Sequence, residues 1–241
     1  MTPLSLGRRA AAEALGTALL LVAVVGSGIM AERLAGGNVA LALLANAIAT
    51  GGALFALILV FAPWSGAHFN PVVTLALALD GEMGWRAVLA YVAAQIVGAI
   101  TGVWLAHVMF ELPVLEWSAH ARTGIGQWTG EIVASFGLLL VIESGRRAFA
   151  ASLPAAVAAY ITAAYWFTSS TSFANPAVTL ARSLTRSFAG IAPNDVLVFV
   201  LCQCLGAAAA VGFVRWIERR PAAVASDARG NETKGSRAAL G

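Results

Sequence analysis

Two Asn-Pro dipeptides, Asn70-Pro71 and Asn175-Pro176, and two glutamates, Glu13 and Glu131, stand at matching places in an otherwise apolar chain. No nucleophile–base pair and no cluster with metal-ligand spacing accompanies them, so no covalent chemistry, cofactor or metal is expected. Asn is a preferred helix N-cap and Pro suits the first helical position, so each dipeptide should start a helix. A helix N-terminus carries free backbone N–H groups and roughly half a positive charge. With an Asn amide beside it, such an end can grip a polar uncharged molecule and repel a cation.

The elements that must hold these ends are apolar. Of 241 residues 59% are hydrophobic and only 11% charged, with a mean hydropathy of +0.81, which a soluble surface cannot accommodate. A soluble enzyme, a nucleic-acid binder and a disulfide scaffold are poor fits. Crossing a bilayer takes roughly 20 apolar residues. Six runs qualify, approximately 10–31, 39–62, 87–110, 127–143, 153–169 and 194–217. The first follows Arg8 and Arg9 but is too long for a signal-peptide core and carries Glu13, so it reads as a retained span. Two pieces, 70–79 and 175–184, are too short to cross and open with the Asn-Pro dipeptides. They read as half-helices, tolerable at membrane depth only where protein or water satisfies their ends.

Eleven of the fifteen basic residues (Arg8, Arg9, Arg86, Arg146, Arg147, Arg215, Arg219, Arg220, Arg229, Lys234, Arg237) fall on the side of the N-terminus, against Arg33, Arg122, Arg182 and Arg186 on the other. Both termini should then be cytoplasmic, in a multi-pass protein of the cell (inner) membrane. Residues 218–241 turn to Ala, Ser, Gly and charge and read as a disordered tail. Cys202 and Cys204 point to nearly opposite helix faces, cannot bond to each other, and are expected as small buried side chains.

The halves also match beyond the dipeptides. Glu13 with Thr17 corresponds to Glu131 with Ser135, Asn70-Pro-x-Val-Thr-Leu to Asn175-Pro-x-Val-Thr-Leu, and Gln95-x-x-Gly98 to Gln203-x-x-Gly206, at offsets of 118, 105 and 108. Three spans per copy is odd, so the second copy enters the bilayer upside down. Inverted repeats place the functional site near the midplane, with the two half-helices meeting nose to nose. The expected architecture is an all-α membrane protein: a 1–217 domain made of repeats 6–110 and 126–217, with six spans and two re-entrant half-helices.

With its boxes at 65–74 and 172–179, and Ala-Glu-x-x-Gly-Thr at 12–17, the chain resembles the aquaporin (major intrinsic protein) family over residues 6–217. The resemblance implies a homotetramer with one pore per subunit, passing water and small neutral solutes. The pore motifs would be Asn70, Pro71 and Val72 with Asn175, Pro176 and Ala177, Val72 adding bulk at the central constriction where Ala is usual. Glu13 and Glu131 are intramembrane carboxylates and can be read as proton relays. Their symmetry and lack of an intramembrane basic partner favour acceptance of hydrogen bonds from the re-entrant loops, with Gln95 and Gln203 locking the same loops. Gly98 and Gly102 fit close helix packing. His68 is a possible titratable gate or a loop-packing residue.

In most family members an Arg follows the second box; here that position is Val178. Transfer by spacing gives Thr50, Ala163 and Ser172 for the rest of the selectivity filter, a ring wider and less polar than a water-selective one. Arg182, one turn after Val178, either restores a positive charge there or snorkels with Arg186 to the outer interface. Val178 and Thr50 also resemble a bacterial branch associated with arsenic handling, which implies polyol-sized neutral solutes such as arsenite or methylated arsenicals. The rivals are a water-selective channel using Arg182 and an ion-coupled secondary transporter.

Overall fold

The computed structural model describes residues 4–218. Eight helices follow one another: α1 (Leu6–Leu34), α2 (Val39–Ser65), α3 (Pro71–Leu79), α4 (Trp85–Met109), α5 (Ile125–Ala148), α6 (Leu153–Phe167, preceded by a 3-10 turn), α7 (Pro176–Arg182) and α8 (Pro193–Glu218). Six elements are long and apolar enough to span a membrane, and the expected all-α architecture is borne out. Glu218 closes α8, and the rest of the expected tail lies outside the described residues. α1, α2, α5 and α8 run past their apolar runs because hydropathy drops before the backbone ladder does, α5 continuing through Glu143, Arg146 and Arg147, whereas α6 stops at Phe167, two residues short of the expected end.

Each half-helix starts where the sequence says. Asn70 Oδ1 accepts from Val72 N (3.1 Å), and Asn175 Oδ1 accepts from Ala177 N (3.0 Å) and Val178 N (3.2 Å). Both prolines take the first helical position, where a missing N–H costs nothing. Upstream, α2 stops one residue after Pro63-Trp64 at Ser65, and its carbonyls are closed by Gly66 in the left-handed region (φ +91°).

The helices pair alike in both halves: α1 packs on α2 and α4, and α5 on α6 and α8. Glycines set the closest seams. A Cβ on Gly98 would stand 2.1 Å from the Ala14 carbonyl oxygen, one on Gly102 2.2 Å from that of Ala18, and one on Gly206 2.3 Å from that of Ile132. The half-helices join the copies, α3 packing on α4 and α8, α7 on α8 and α4, with their tips in contact. Large apolar side chains such as Leu89, Leu115 and Ile125 lie on the outside, as in a protein whose solvent is hydrocarbon. That exposed face also receives Cys204, while Cys202 is half-buried; the expected burial of both fails because an outward thiol is not penalised there.

Candidate functional site

The two loops feeding the half-helices hold an improbable backbone. Ala67 and Phe69 in the first, and Thr171, Ser172 and Ala174 in the second, all have φ between +47° and +60° without being glycine. Each such residue costs about 1 kcal/mol or more and persists only where its surroundings over-determine it. The over-determination comes from the two glutamates. Glu13, fully buried, accepts from Ser65 Oγ (2.6 Å), His68 N (3.0 Å), Phe69 N (2.7 Å) and Gln95 Nε2 (2.8 Å). Glu131, also fully buried, accepts from Phe173 N (2.9 Å), Ala174 N (2.9 Å) and Gln203 Nε2 (2.6 Å).

The glutamine amides pass the link onward. Gln95 Nε2 lies 3.0 Å from Thr74 Oγ1, and Gln203 Nε2 2.7 Å from Thr179 Oγ1. Those hydroxyls donate to the carbonyls of Asn70 (3.1 Å) and Asn175 (2.8 Å). From the sequence, Thr74 and Thr179 have no assigned part in this relay, although their repetition in both boxes is the available signal.

The tips then lock across the midplane. Asn70 Nδ2 donates to Ala174 O (2.8 Å) and Asn175 Nδ2 to Phe69 O (2.7 Å). An Asn amide nitrogen has two donors. One on each is spent on the opposite loop and one is left, so the expectation that both would grip solute is halved.

Both Asn side chains line one cavity of about 290 Å³. Its face on each half-helix follows the helical period from the cap: Asn70, Val73 and Leu77 on α3, and Asn175, Val178 and Arg182 on α7. The next box residues turn away. Val72 is 2% and Ala177 1% exposed and neither lines the cavity, so the expected bulk of Val72 at the constriction is not there. Toward the side of the N-terminus the wall is largely aliphatic and ends at Gly66, His68, Glu82 and Arg146, the last two ion-paired. His68 Nδ1 lies 3.1 Å from Thr74 Oγ1, its ring packed on Tyr91 (5.1 Å).

At the other end Thr50, Ser172 and Val178 line the cavity. Ala163 does not: it sits on the exposed face of α6, and Tyr165 lines the cavity instead, its hydroxyl 3.3 Å from Thr50 Oγ1. Counting back from Asn175 crosses an irregular loop, and each residue of error there turns a helix position by about 100°. Arg182 is 2% exposed; its Nε donates to Ala189 O, and its Cζ lies 3.4 Å from the centroid of Phe173. This end therefore carries a phenol and a guanidinium that a ring of Thr, Ala, Ser and Val lacks. Tyr165 escaped sequence reasoning because no motif marks it, and Phe173, although inside the second box and matched by Phe69 in the first, was given no role there.

Among the described residues no group of three or more His, Cys, Asp and Glu side chains could hold a metal. The arrangement offers donors and a fixed cation to a neutral solute and no reacting group.

Comparison with known proteins follows the same line. Residues 1–163 match the family description "Major intrinsic protein". Over 217 residues, 90% of this chain and 93% of the other, the sequence is 54% identical to aquaglyceroporin AqpS of Rhizobium meliloti (strain 1021). It is 36% identical over 136 residues, 54% of each chain, to probable aquaporin TIP2-2 of Oryza sativa subsp. japonica. The aquaglyceroporin structure from Plasmodium falciparum superposes with a TM-score of 0.67 at 23% identity, covering 87% of this chain and 95% of that one, which is a likeness of fold.

Proposed function

This chain belongs to the major intrinsic protein family, and from that premise we propose that it conducts polyol-sized uncharged solutes together with water, arsenite and methylated arsenicals among them. Family membership makes it a multi-pass membrane channel for water and small neutral solutes, not an enzyme. The finer reading is carried by one observation: a single cavity passes both Asn amides, aliphatic along most of its wall and polar at intervals. A solute with hydroxyls on one side and a bare or methylated face on the other matches such a wall. Trivalent arsenite is a neutral trihydroxy species at neutral pH and enters without desolvating a charge.

In this reading Asn70 and Asn175 with the two helix ends form the central barrier to cations and protons. Glu13, Glu131, Gln95 and Gln203 support the loops, and His68 packs at one mouth. Thr50, Tyr165, Ser172, Val178 and Arg182 set the cutoff. Residues 1–217 act as one channel unit of two repeats, assembled as a homotetramer in the inner membrane with cytoplasmic termini, as the distribution of basic residues supports. A second reading, a water-selective channel, is favoured by the placement of Arg182 on the cavity beside Val178.

Stopped-flow light scattering of proteoliposomes under separate water, glycerol and arsenite gradients decides between them. Re-swelling in glycerol and arsenite supports the first reading, and water shrinkage alone the second. Val178→Arg should reduce solute flux more than water flux; equal loss of both counts against the filter assignment.

A further inference from the structure

The segment between α4 and α5, residues 110–124, carries no helix and contributes nothing to the cavity wall. It nevertheless puts a guanidinium in the interior: Arg122 is 4% exposed. Its Nε donates to Gly190 O (2.7 Å), its Nη1 to Ser170 O (3.1 Å) and Thr171 Oγ1 (3.4 Å), and its Nη2 to Phe188 O (3.4 Å). Its own backbone N–H is pinned by Asp195 Oδ2 at 2.7 Å. Among the described residues no carboxylate forms an ion pair with the guanidinium. Neutral carbonyls and the Phe173 ring, 4.8 Å from its Cζ to the centroid, solvate the charge.

Phe173 is thus shared by two arginines, with Arg182 at 3.4 Å. They also take consecutive carbonyls of one strap, Arg182 that of Ala189 and Arg122 that of Gly190. Two like charges repel, so holding both beside one ring requires the other contacts to outweigh the repulsion. What they hold together is the polar end of the cavity lined by Ser172, Phe173 and Arg182. Arg122 ties the loop 170–173 to the strap 188–190 through backbone carbonyls of both segments, alongside the bridge that Arg182 makes between Ala189 O and the Phe173 ring.

We infer that Arg122 is a positioning residue for solute selection: it clamps the loop bearing Ser172 and Phe173 to the strap that holds Arg182, and so sets the size cutoff without touching solute. The inference rests on the reading of Phe173 and Arg182 as the narrow end of the passage. The planar fork matters as well as the charge, because one ammonium cannot reach acceptors on two segments in a fixed geometry.

Arg122→Lys and Arg122→Met, checked for folding by circular dichroism and thermal melting, are reconstituted, and water, glycerol and erythritol permeabilities measured. The erythritol-to-water ratio should rise about threefold or more in both, the factor that loss of one of the fork's hydrogen bonds between the two segments implies. An unchanged ratio, or a parallel fall of all three permeabilities, overturns the inference. Should Arg122→Met fail to fold, Arg122→Lys, which keeps stem and charge, decides by the same criterion. Phe173→Leu separates the two levels. A changed ratio there with none in Arg122→Lys rejects the positioning role and leaves the filter standing, whereas no change in Phe173→Leu or Arg182→Met rejects the filter. In Arg122→Lys/Phe173→Leu the ratio should rise no further than in Phe173→Leu; additive rises overturn the inference.

Discussion

Replacing Glu131 by Gln keeps shape and removes charge. The carboxylate accepts three hydrogen bonds, one on Oε1 and two on Oε2. With its amide oxygen in the Oε2 place, Gln retains two of them in weakened, neutral form and turns an NH₂ donor against the Phe173 N–H. Bonds to a charged acceptor contribute about 1.5–3 kcal/mol each and neutral ones about 1 kcal/mol, so exchanging three of the former for two of the latter loses about 3–7 kcal/mol. The left-handed residues Ser172 and Ala174 lose their restraint at the same time. For a chain of this size the melting temperature should fall by about 10 °C, at about 2–4 °C per kcal/mol. Glu13→Gln, with four contacts to lose, should fall at least as far. Thermal unfolding in detergent followed by tryptophan fluorescence measures both. A Glu131→Gln protein as stable as wild type would refute the loop-support account. If that stable protein also lost proton-driven solute accumulation, the coupled-transporter alternative would take its place.

Arg182→Met removes a cation from the cavity wall. At about 6 Å and an effective dielectric constant of about 20, the repulsion lost is about 3 kcal/mol, so proton or potassium leak should rise roughly 100-fold, read with a pH-sensitive dye in vesicles; an unchanged leak speaks against a filter charge. Gly98→Val drives a side chain into the Ala14 carbonyl and should cost about 1–3 kcal/mol in thermal melts, whereas Gly212→Val, with nothing within 4 Å, should be neutral; equal melts would mean the seam is not as close as described. Burial pushes the Asp80 carboxyl up, but hydrogen bonds from Arg215 and the charges of Arg215 and Arg147 outweigh it and hold it below its usual 3.8. Its stabilisation is therefore present above about pH 4 and lost as pH falls through the lower folded value. Asp80→Asn should melt earlier at pH 7 by about 1 kcal/mol of stability and converge on wild type as pH falls through that lowered value, and a gap that persisted in acid would contradict the assignment.

Much of this protein is settled by pattern that acts locally. Runs of apolar residues can satisfy their backbone in a bilayer only as helices, so six spans follow from hydropathy alone. Asn-Pro fixes where a short helix starts because cap and first residue are neighbours in the chain. The odd number of spans per repeat fixes the opposed entry of Asn70 and Asn175 by topology. Matching Glu13 to Glu131 and Gln95 to Gln203 identifies the loop supports, since both copies repeat the residues.

The end of the cavity at Tyr165 and Arg182 is different, because contacts there join residues far apart in sequence and across irregular backbone. Helix phase does not propagate through the 168–174 loop, so spacing chose Ala163 where packing presents Tyr165. Which side of α3 faces the cavity depends on its seating against α4 and α8, and that turned Val72 away and Val73 inward. The positions of Arg182 and Arg122 are set by carbonyls at 170 and 188–190, which no sequence pattern displays because every residue has one. Local covalent neighbours determined where helices begin; only the three-dimensional packing decided which side chains meet the solute.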